Sequence, residues 1–299
     1  MHKEKMKRAV FLTIDFPPMG GGMARHAADV CRSLRRIGFE SLVIAPSSAK
    51  TTSGIDEEFV VRRLKKVRAG KIFDNYMLSV AAYFFSGLRS YFTRKSDLII
   101  ANTWSVAGVA AFLIRKLTGA PYIVFAHGLD VYAPQTGPAG NNRVRHLMEA
   151  VLENASVVIT NSNFTKGLIE EGAKKAKVVV LNPMVDPARL VVAVSPGGDG
   201  EPGKKKVILS VGRLVESKGH DLVMRSLPAV LARFPDTIYN IVGCGPHEKV
   251  LRALAISLGV SGHIVFTGEI DESALIGHYR GCDVFVLTSR QIPERGEVE

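Results

Sequence analysis

The stretch "RAVFLTIDFPPMGGGMARHAADVCRSLRRIGFESLVIA", Arg8 to Ala45, decides the fold. It opens on an apolar run, "RAVFLTI", and closes on a second, "SLVIA". Between them Ala27, Val30, Cys31, Leu34 and Ile37 recur at three- and four-residue steps, which predicts a helix stopped by Gly38. Strand, glycine-rich turn, helix and strand make a βαβ unit, and such units build parallel sheets with helices on both faces.

The alternation continues outward. Further strands are predicted at "FVV", "DLIIA", "PYIVFA", "SVVIT" and "KVVVLN", with helices from Phe73 to Phe92 and Ser105 to Leu117. Residues 1–190 therefore read as one doubly wound α/β domain. From about Pro187 the pattern lapses into "VSPGGDGEPGKKK", where Gly, Pro and charge sustain no core element, so 191–206 is expected to be a linker. Residues 207–299 restart the alternation with strands at "VILSVG", "TIYNIVG", "HIVFTG" and "DVFVLTS". Helices are predicted from His220 to Phe234, from Glu248 to Leu258 and through Leu275 and Tyr279. The restart is architectural, because no sequence motif repeats. The chain stops at "RQIPERGEVE", directly after a strand, where a doubly wound sheet still needs a covering helix. The second domain is expected to be truncated.

Composition bounds the function. With 46% hydrophobic and 22% charged residues over 299 positions, the chain is of the globular class. Cys31, Cys244 and Cys282 are scattered and fit neither a disulfide framework nor a zinc site, which suits a reducing cytosol. The N-terminus lacks the features of a signal peptide, and no apolar run approaches the ~20 residues of a membrane span. Net charge is +11, and residues 1–100 hold 18 Lys and Arg against 9 Asp and Glu. A positive field of that kind draws phosphorylated ligands, nucleic acid or an anionic membrane without choosing among them.

Ligands of open α/β sheets sit at the carboxyl ends of strands, so the strand-to-helix turns carry the candidates. At "FPPMGGGMARHAADV", Gly20, Gly21 and Gly22 can bring backbone close to a phosphate or sugar beside a helix N-terminus, or serve only as a flexible turn. The spacing is not G-x-G-x-x-G and no acidic residue follows "IAPSS", which counts against a nicotinamide cofactor. His127 in "FAHGLDVY" ends a strand before a glycine: it is either a structural residue or one placed to bond a ligand and titrate near neutral pH. Asp130 is read equally as a turn cap. In "VGRLVESKG", Arg213 and Lys218 match the oxygens of a diphosphate, or form a solvated basic loop with Glu216 as partner. The order of residues is not that of a P-loop. In "IVGCGPHEKVLRALA" the glycines read as purely structural. Last, six cations in "RRLKKVRAGK" precede Phe73, Tyr76, Met77, Val80, Phe84, Leu88 and Phe92 at helical spacing. That stripe is core, or, with the cations, a surface that lies on anionic lipid.

Taken in this order across two α/β domains, these turns resemble the GT-B glycosyltransferases of family 4, most nearly the bacterial phosphatidylinositol mannoside mannosyltransferases. "VGRLVESKG", "VGCGP", "VFTGEI" and "DVFVLTSR…GEVE" carry the likeness. It implies two Rossmann-like domains facing a cleft, and retaining transfer of a sugar, mannose from GDP-mannose, to a lipid-linked or polysaccharide acceptor. By that likeness Arg213 and Lys218 are the diphosphate-binding pair, which would stabilise charge developing on the leaving group. His127 contacts the donor sugar, and Gly21 with Gly22 form the loop beside the donor phosphates. Ile270 in "FTGEI" meets the base through its backbone, and Glu299 is the first glutamate of an E-x7-E motif. No metal or other cofactor is implied, since the sequence has no D-x-D motif. The second glutamate of that motif lies beyond this chain, so weak or absent turnover is expected of the 299 residues alone. The expected setting is the cytoplasm, with peripheral contact at the inner face of the membrane and no role in nucleic-acid binding. A nucleotide-sugar epimerase of the same fold and an inactive nucleotide-sugar-binding fragment are the alternatives. Product analysis without an acceptor separates the first, and calorimetry with GDP and GDP-mannose the second.

Overall fold

The computed structural model describes residues 6–19, 21–48, 58–68, 71–128, 130–132, 142–183, 205–290 and 292. Two compact units divide the chain, Met1–Pro183 and Met184–Glu299. The linker expected at 191–206 lies outside the described residues apart from Lys205 and Lys206.

Among the described residues the first unit holds seven strands: β1 Lys7–Leu12, β2 Phe39–Ser47, β3 Val60–Arg68, β4 Leu98–Ala101, β5 Tyr122–Ala126, β6 Val157–Thr160 and β7 Val178–Val180. All pair in parallel, in the order β3-β2-β1-β4-β5-β6-β7. Its helices are α1 Gly22–Arg36, α2 Tyr76–Arg94, α3 Val106–Thr118, α4 Asn142–Glu153 and α5 Asn163–Gly172. Side chains alternate across the sheet: Val10 and Leu12 of β1 join a core with Tyr83 of α2, Ile114 of α3, Met148 of α4 and Ile169 of α5. Ala9 and Phe11 point the other way, onto Ala27, Ala28 and Cys31 of α1. Burial on both faces is why these strands read as unbroken apolar runs.

One expectation changes. The "FVV" strand runs on through the basic residues to Arg68, so five of the six cations of the charge run lie in β3. Because β3 pairs on one side only, with β2, its charges stay at the sheet edge, where they oppose strand-to-strand aggregation. Arg62 and Arg63 are absorbed structurally, donating to Ser90 Oγ at 2.7 Å and to the Pro17 carbonyl at 2.5 Å.

The second unit holds β8 Val207–Val211, β9 Ile238–Val242, β10 Ile264–Gly268 and β11 Val284–Phe285, parallel in the order β10-β9-β8-β11. Its helices are α6 His220–Leu231, α7 Glu248–Ser257 and α8 Glu272–Gly281. The core joins Met224 and Leu227 of α6, Tyr239 and Ile241 of β9, and Leu251 of α7. In both sheets the order reverses beside the first strand of the unit, between β1 and β4 and between β8 and β11. Those switch points open the crevices in which α/β sheets hold ligands.

Candidate functional sites at two sheet switch points

In the first unit, the carboxyl ends of β1, β4 and β5 bring together Thr13, Asn102 and His127, and α1 adds His26. The His26 and His127 rings meet edge to face with centroids 5.0 Å apart. His127 Nε2–H donates to the Asn102 carbonyl at 2.8 Å, which leaves Nδ1 as the acceptor of the neutral ring. Asn102 Nδ2 donates to Thr13 Oγ1 at 3.3 Å, so its Oδ1 accepts from His26 Nδ1–H at 3.2 Å. Thr13 Oγ1–H donates in turn to the Asp15 carbonyl at 2.7 Å. The network fixes both tautomers and leaves one imidazole lone pair on each histidine, Nε2 of His26 and Nδ1 of His127.

Burial holds His127 below the ordinary histidine value, against the opposing effect of the Asn102 carbonyl. His26 is lowered by burial and by His127, with Asn102 and Asp29 acting the other way. Desolvation disfavours the imidazolium, which moves the titration of His127 down from the ordinary histidine value and favours the neutral ring. Asp130 is a turn cap, accepting from the His127 backbone N–H at 2.9 Å. Its other oxygen has no partner among the described residues, and burial pushes its carboxyl up to about 6. Asp15 is pushed to about 6 for the same reason.

Gly21 and Gly22 open α1. Gly21 is its N-cap with φ 114°, a conformation that requires glycine. Neither would meet any atom with an added Cβ, so open space faces this helix start. Gly20 lies outside the described residues. Cation–π contact places the Arg63 guanidinium 5.7 Å from the Phe16 ring centre, tying β3 to the same loop.

In the second unit, Arg213 follows β8 directly and is exposed, with no side-chain partner among the described residues. Lys218 ends a short 3-10 turn, Glu216–Lys218, and its stem folds back over Gly212: a Cβ there would lie 3.6 Å from Lys218 Cδ and Cε. Both cations belong to the turn that follows β8. Glu216 pairs with Arg290 at 3.7 Å, and Arg290 also reaches Asp221 at 3.1 Å. Arg290, just after β11, donates its backbone N–H to the Ser217 carbonyl at 2.7 Å, and Thr288 Oγ1 donates to the Gly219 carbonyl at 2.7 Å. Gly219, at φ 65°, passes so close to Thr288 that a Cβ would stand 2.0 Å from its carbonyl oxygen. His220, 2% exposed, lies 3.3 Å by Nε2 from the Arg213 carbonyl and 3.4 Å by Nδ1 from the Tyr239 hydroxyl. That hydroxyl donates to Ser210 Oγ at 2.9 Å.

Ile270 follows β10, two strands from β8, which places it roughly 10 Å away across the sheet. Gly243 and Gly245 are structural, as their sequence suggests: Cβ atoms there would stand 2.0 and 2.4 Å from the carbonyl oxygens of Gly212 and Leu214. Glu299 lies outside the described residues. No group of three His, Cys, Asp or Glu that could hold a metal occurs among the described residues. The sequence reading missed His26, Asn102, His220 and Arg290. For Asn102 a signal existed, since "ANTW" follows a predicted strand as His127 does.

Comparison with known proteins follows the same division. Residues 20–189 match the family model described as Glycosyltransferase Family 4, and residues 195–297 match Glycosyl transferases group 1. Over 88 residues the chain is 41% identical to the GDP-mannose-dependent alpha-(1-6)-phosphatidylinositol monomannoside mannosyltransferase of Mycolicibacterium smegmatis, covering 29% of this chain and 23% of that one. It is 24% identical to the protein of that description from Mycobacterium tuberculosis over 95% of this chain and 73% of that one. A D-inositol 3-phosphate glycosyltransferase of Corynebacterium urealyticum is 27% identical over 69% of this chain and 54% of its own. The chain thus spans about a quarter and about half the length of the M. smegmatis and C. urealyticum relatives. Among solved structures, sucrose-phosphate synthase of Thermosynechococcus elongatus superposes with TM-score 0.75 at 18% identity, over 95% of this chain and 75% of that one. Anabaena HepE in complex with UDP-glucose superposes with TM-score 0.68 at 19% identity, over 94% and 74%. The fold is accordingly GT-B, and the chain belongs to glycosyltransferase family 4.

Proposed function

We propose that the protein transfers a sugar, mannose from GDP-mannose, with retention, to a hydroxyl of a lipid-linked or polysaccharide acceptor at the inner face of the cell membrane. The observation that carries this reading is the β8 turn, where exposed Arg213 follows the strand directly and the stem of Lys218 folds back over Gly212. In the transfer the bond between sugar C1 and the diphosphate oxygen breaks, a bond from C1 to the acceptor oxygen forms, and the hydroxyl proton is released. Negative charge accumulates on the leaving nucleoside diphosphate. Arg213, with a planar fork of donors, and Lys218, a point charge, stabilise it, and they do so more effectively for being positioned in advance.

His127, held neutral, bonds the donor sugar. The open start of α1 at Gly21 and Gly22 receives phosphate oxygens at a helix N-terminus. Ile270 meets the base by its backbone, and Glu299 completes the set at the sugar. The two cations take the part a metal would otherwise play, so thermal stabilisation by GDP-mannose is expected to survive chelation. The mannosyltransferase relatives support GDP-mannose, while the UDP-glucose bound to Anabaena HepE makes UDP-sugars the competing donors to test.

Thermal stabilisation of the chain by a panel of nucleotide sugars tests the site. GDP-mannose is expected to raise the melting temperature, and Arg213→Ala to abolish the rise. If no nucleoside diphosphate stabilises the protein, or the substitution leaves the effect intact, the assignment fails.

A further inference from the structure

From Arg213 a chain of hydrogen bonds runs into the second unit and ends, as it begins, on a carbonyl. His220 Nε2 lies 3.3 Å from the Arg213 carbonyl and Nδ1 3.4 Å from the Tyr239 hydroxyl. That hydroxyl lies 2.9 Å from Ser210 Oγ, which lies 2.6 Å from the Val286 carbonyl. Carbonyls only accept, so Ser210 gives its proton to Val286 and Tyr239 gives its own to Ser210. The Tyr239 oxygen is left to accept from Nδ1, and the Arg213 carbonyl to accept from Nε2. These four contacts call for four protons, whereas serine, tyrosine and a neutral imidazole bring one each. Only the imidazolium, a donor at both nitrogens, completes the chain. Ser210 and His220 are 2% exposed and Tyr239 is fully buried, so the bond that a neutral ring leaves unmade carries its full cost.

The surroundings of the ring oppose that fourth proton. Burial is the largest influence lowering His220 from the ordinary histidine value, and Lys218 of the 3-10 turn and His247, just before α7, add to it. The Arg213 carbonyl and Asp221, the next residue of α6, act the other way. Asp221 is shared with Arg290, 3.1 Å away, which weakens its pull on the ring. His220 thus has hydrogen bonds that ask for a proton, while its burial and cationic neighbours withhold it. An anion set against Lys218 and Arg213 reverses the cationic part of this balance: it screens the repulsion and adds an attraction of its own.

We propose that His220 is a positioning residue for Arg213, and that it takes up one proton from solvent when a nucleoside diphosphate binds the β8 turn. The inference rests on the reading of that turn as the diphosphate site. The imidazolium donates to the Arg213 carbonyl and so fixes the backbone that carries the guanidinium, while Nδ1–H ties the same ring to Tyr239 of β9. Proton and anion then favour each other's binding by the same factor. Affinity for the diphosphate falls as pH rises between the values at which the free and the bound protein release this proton, by at most about tenfold per pH unit.

The test is calorimetry of the full chain at pH 6.5 with GDP-mannose, and with UDP-glucose as a second probe; neither carries a phosphate that titrates near neutrality. Titration in two buffers of different ionisation enthalpy counts the protons taken up with the nucleotide sugar. Uptake of up to one proton is expected in the parent, none in His220→Gln, and the parental amount in His247→Asn. Between pH 6 and pH 8 the affinity of the parent should fall several-fold, and that fall should flatten in His220→Gln. If the glutamine variant fails to fold, Tyr239→Phe decides: it removes the oxygen that accepts from Nδ1 and should cut the uptake by roughly half or more. Binding without proton uptake, uptake that survives either substitution, or uptake lost in His247→Asn overturns the proposal and leaves the diphosphate site standing. Failure of both nucleotide sugars to bind overturns the proposal and the site together.

Discussion

The one buried carboxylate beside His127 sets a measurable pH dependence. Asp130 has a folded value of about 6 against an ordinary 3.8, because burial disfavours its charge. Between those values the unfolded chain has lost the proton and the folded chain keeps it, so this contribution to stability is full below 3.8 and is lost as pH rises through 6. The difference corresponds to about 3 kcal/mol at most. His26, His127 and His220 act in the opposite sense: all are lowered, so their contribution is present above 6.5 and is lost as pH falls through their folded values. Asp130→Asn keeps an acceptor for the His127 N–H and removes the buried charge. Urea unfolding should show the variant more stable than the parent by up to ~3 kcal/mol at pH 8 and equal to it at pH 3. A gap that does not change with pH would mean the carboxylate is not the cause. At this scale the sequence located His127 and Arg213, because each ends an apolar run and strand ends are visible in one dimension. It could not show His26 against His127, or Arg290 against Glu216, since these pairs are 101 and 74 positions apart in the chain and meet only through the order of the strands.

The β8-to-α6 turn shows how an element far along the chain holds a site. Thr288, beyond β11, gives its hydroxyl to the Gly219 carbonyl, and Arg290 draws Glu216 and Asp221 toward itself. Both contacts anchor the 3-10 turn that ends in Lys218. Thr288→Val preserves shape and removes one donor, so it should cost about 1 kcal/mol of stability. It should also weaken nucleoside diphosphate binding by several-fold, as calorimetry would read; unchanged binding would separate the anchor from the site. Element positions were largely legible: each of the seven strands read in the first unit is present, and α6 and α7 begin where their patterns begin. The failures have physical causes. β3 was cut short because edge strands tolerate charge that the apolar pattern excludes. β11 pairs over only two residues although its apolar run is longer. α4 was not read, its three buried residues, Met148, Val151 and Leu152, being few among charged neighbours.

Across the whole molecule, the buried apolar clusters divide as the units do. Two clusters draw only on residues up to Val178, and the third only on residues from Ile208 onward. The restart of strand–helix alternation after the glycine- and proline-rich stretch was the visible trace of this, since a second core needs its own set of strands. Separate cores imply separable unfolding. Trp104 is 5% exposed in the first unit and its ring N–H is bonded to the Asp130 carbonyl, so its fluorescence reports that unit alone, whereas far-ultraviolet circular dichroism reports both. Leu251, 1% exposed in the core of the second unit, provides the complementary lesion. Leu251→Ala should destabilise the second unit by about 2–5 kcal/mol. It should move the dichroism transition to lower urea while leaving the fluorescence midpoint where it was. Parallel shifts of both signals would show that the two cores unfold as one cooperative body, and the reading of the chain as two independently stabilised sheets would have to be given up.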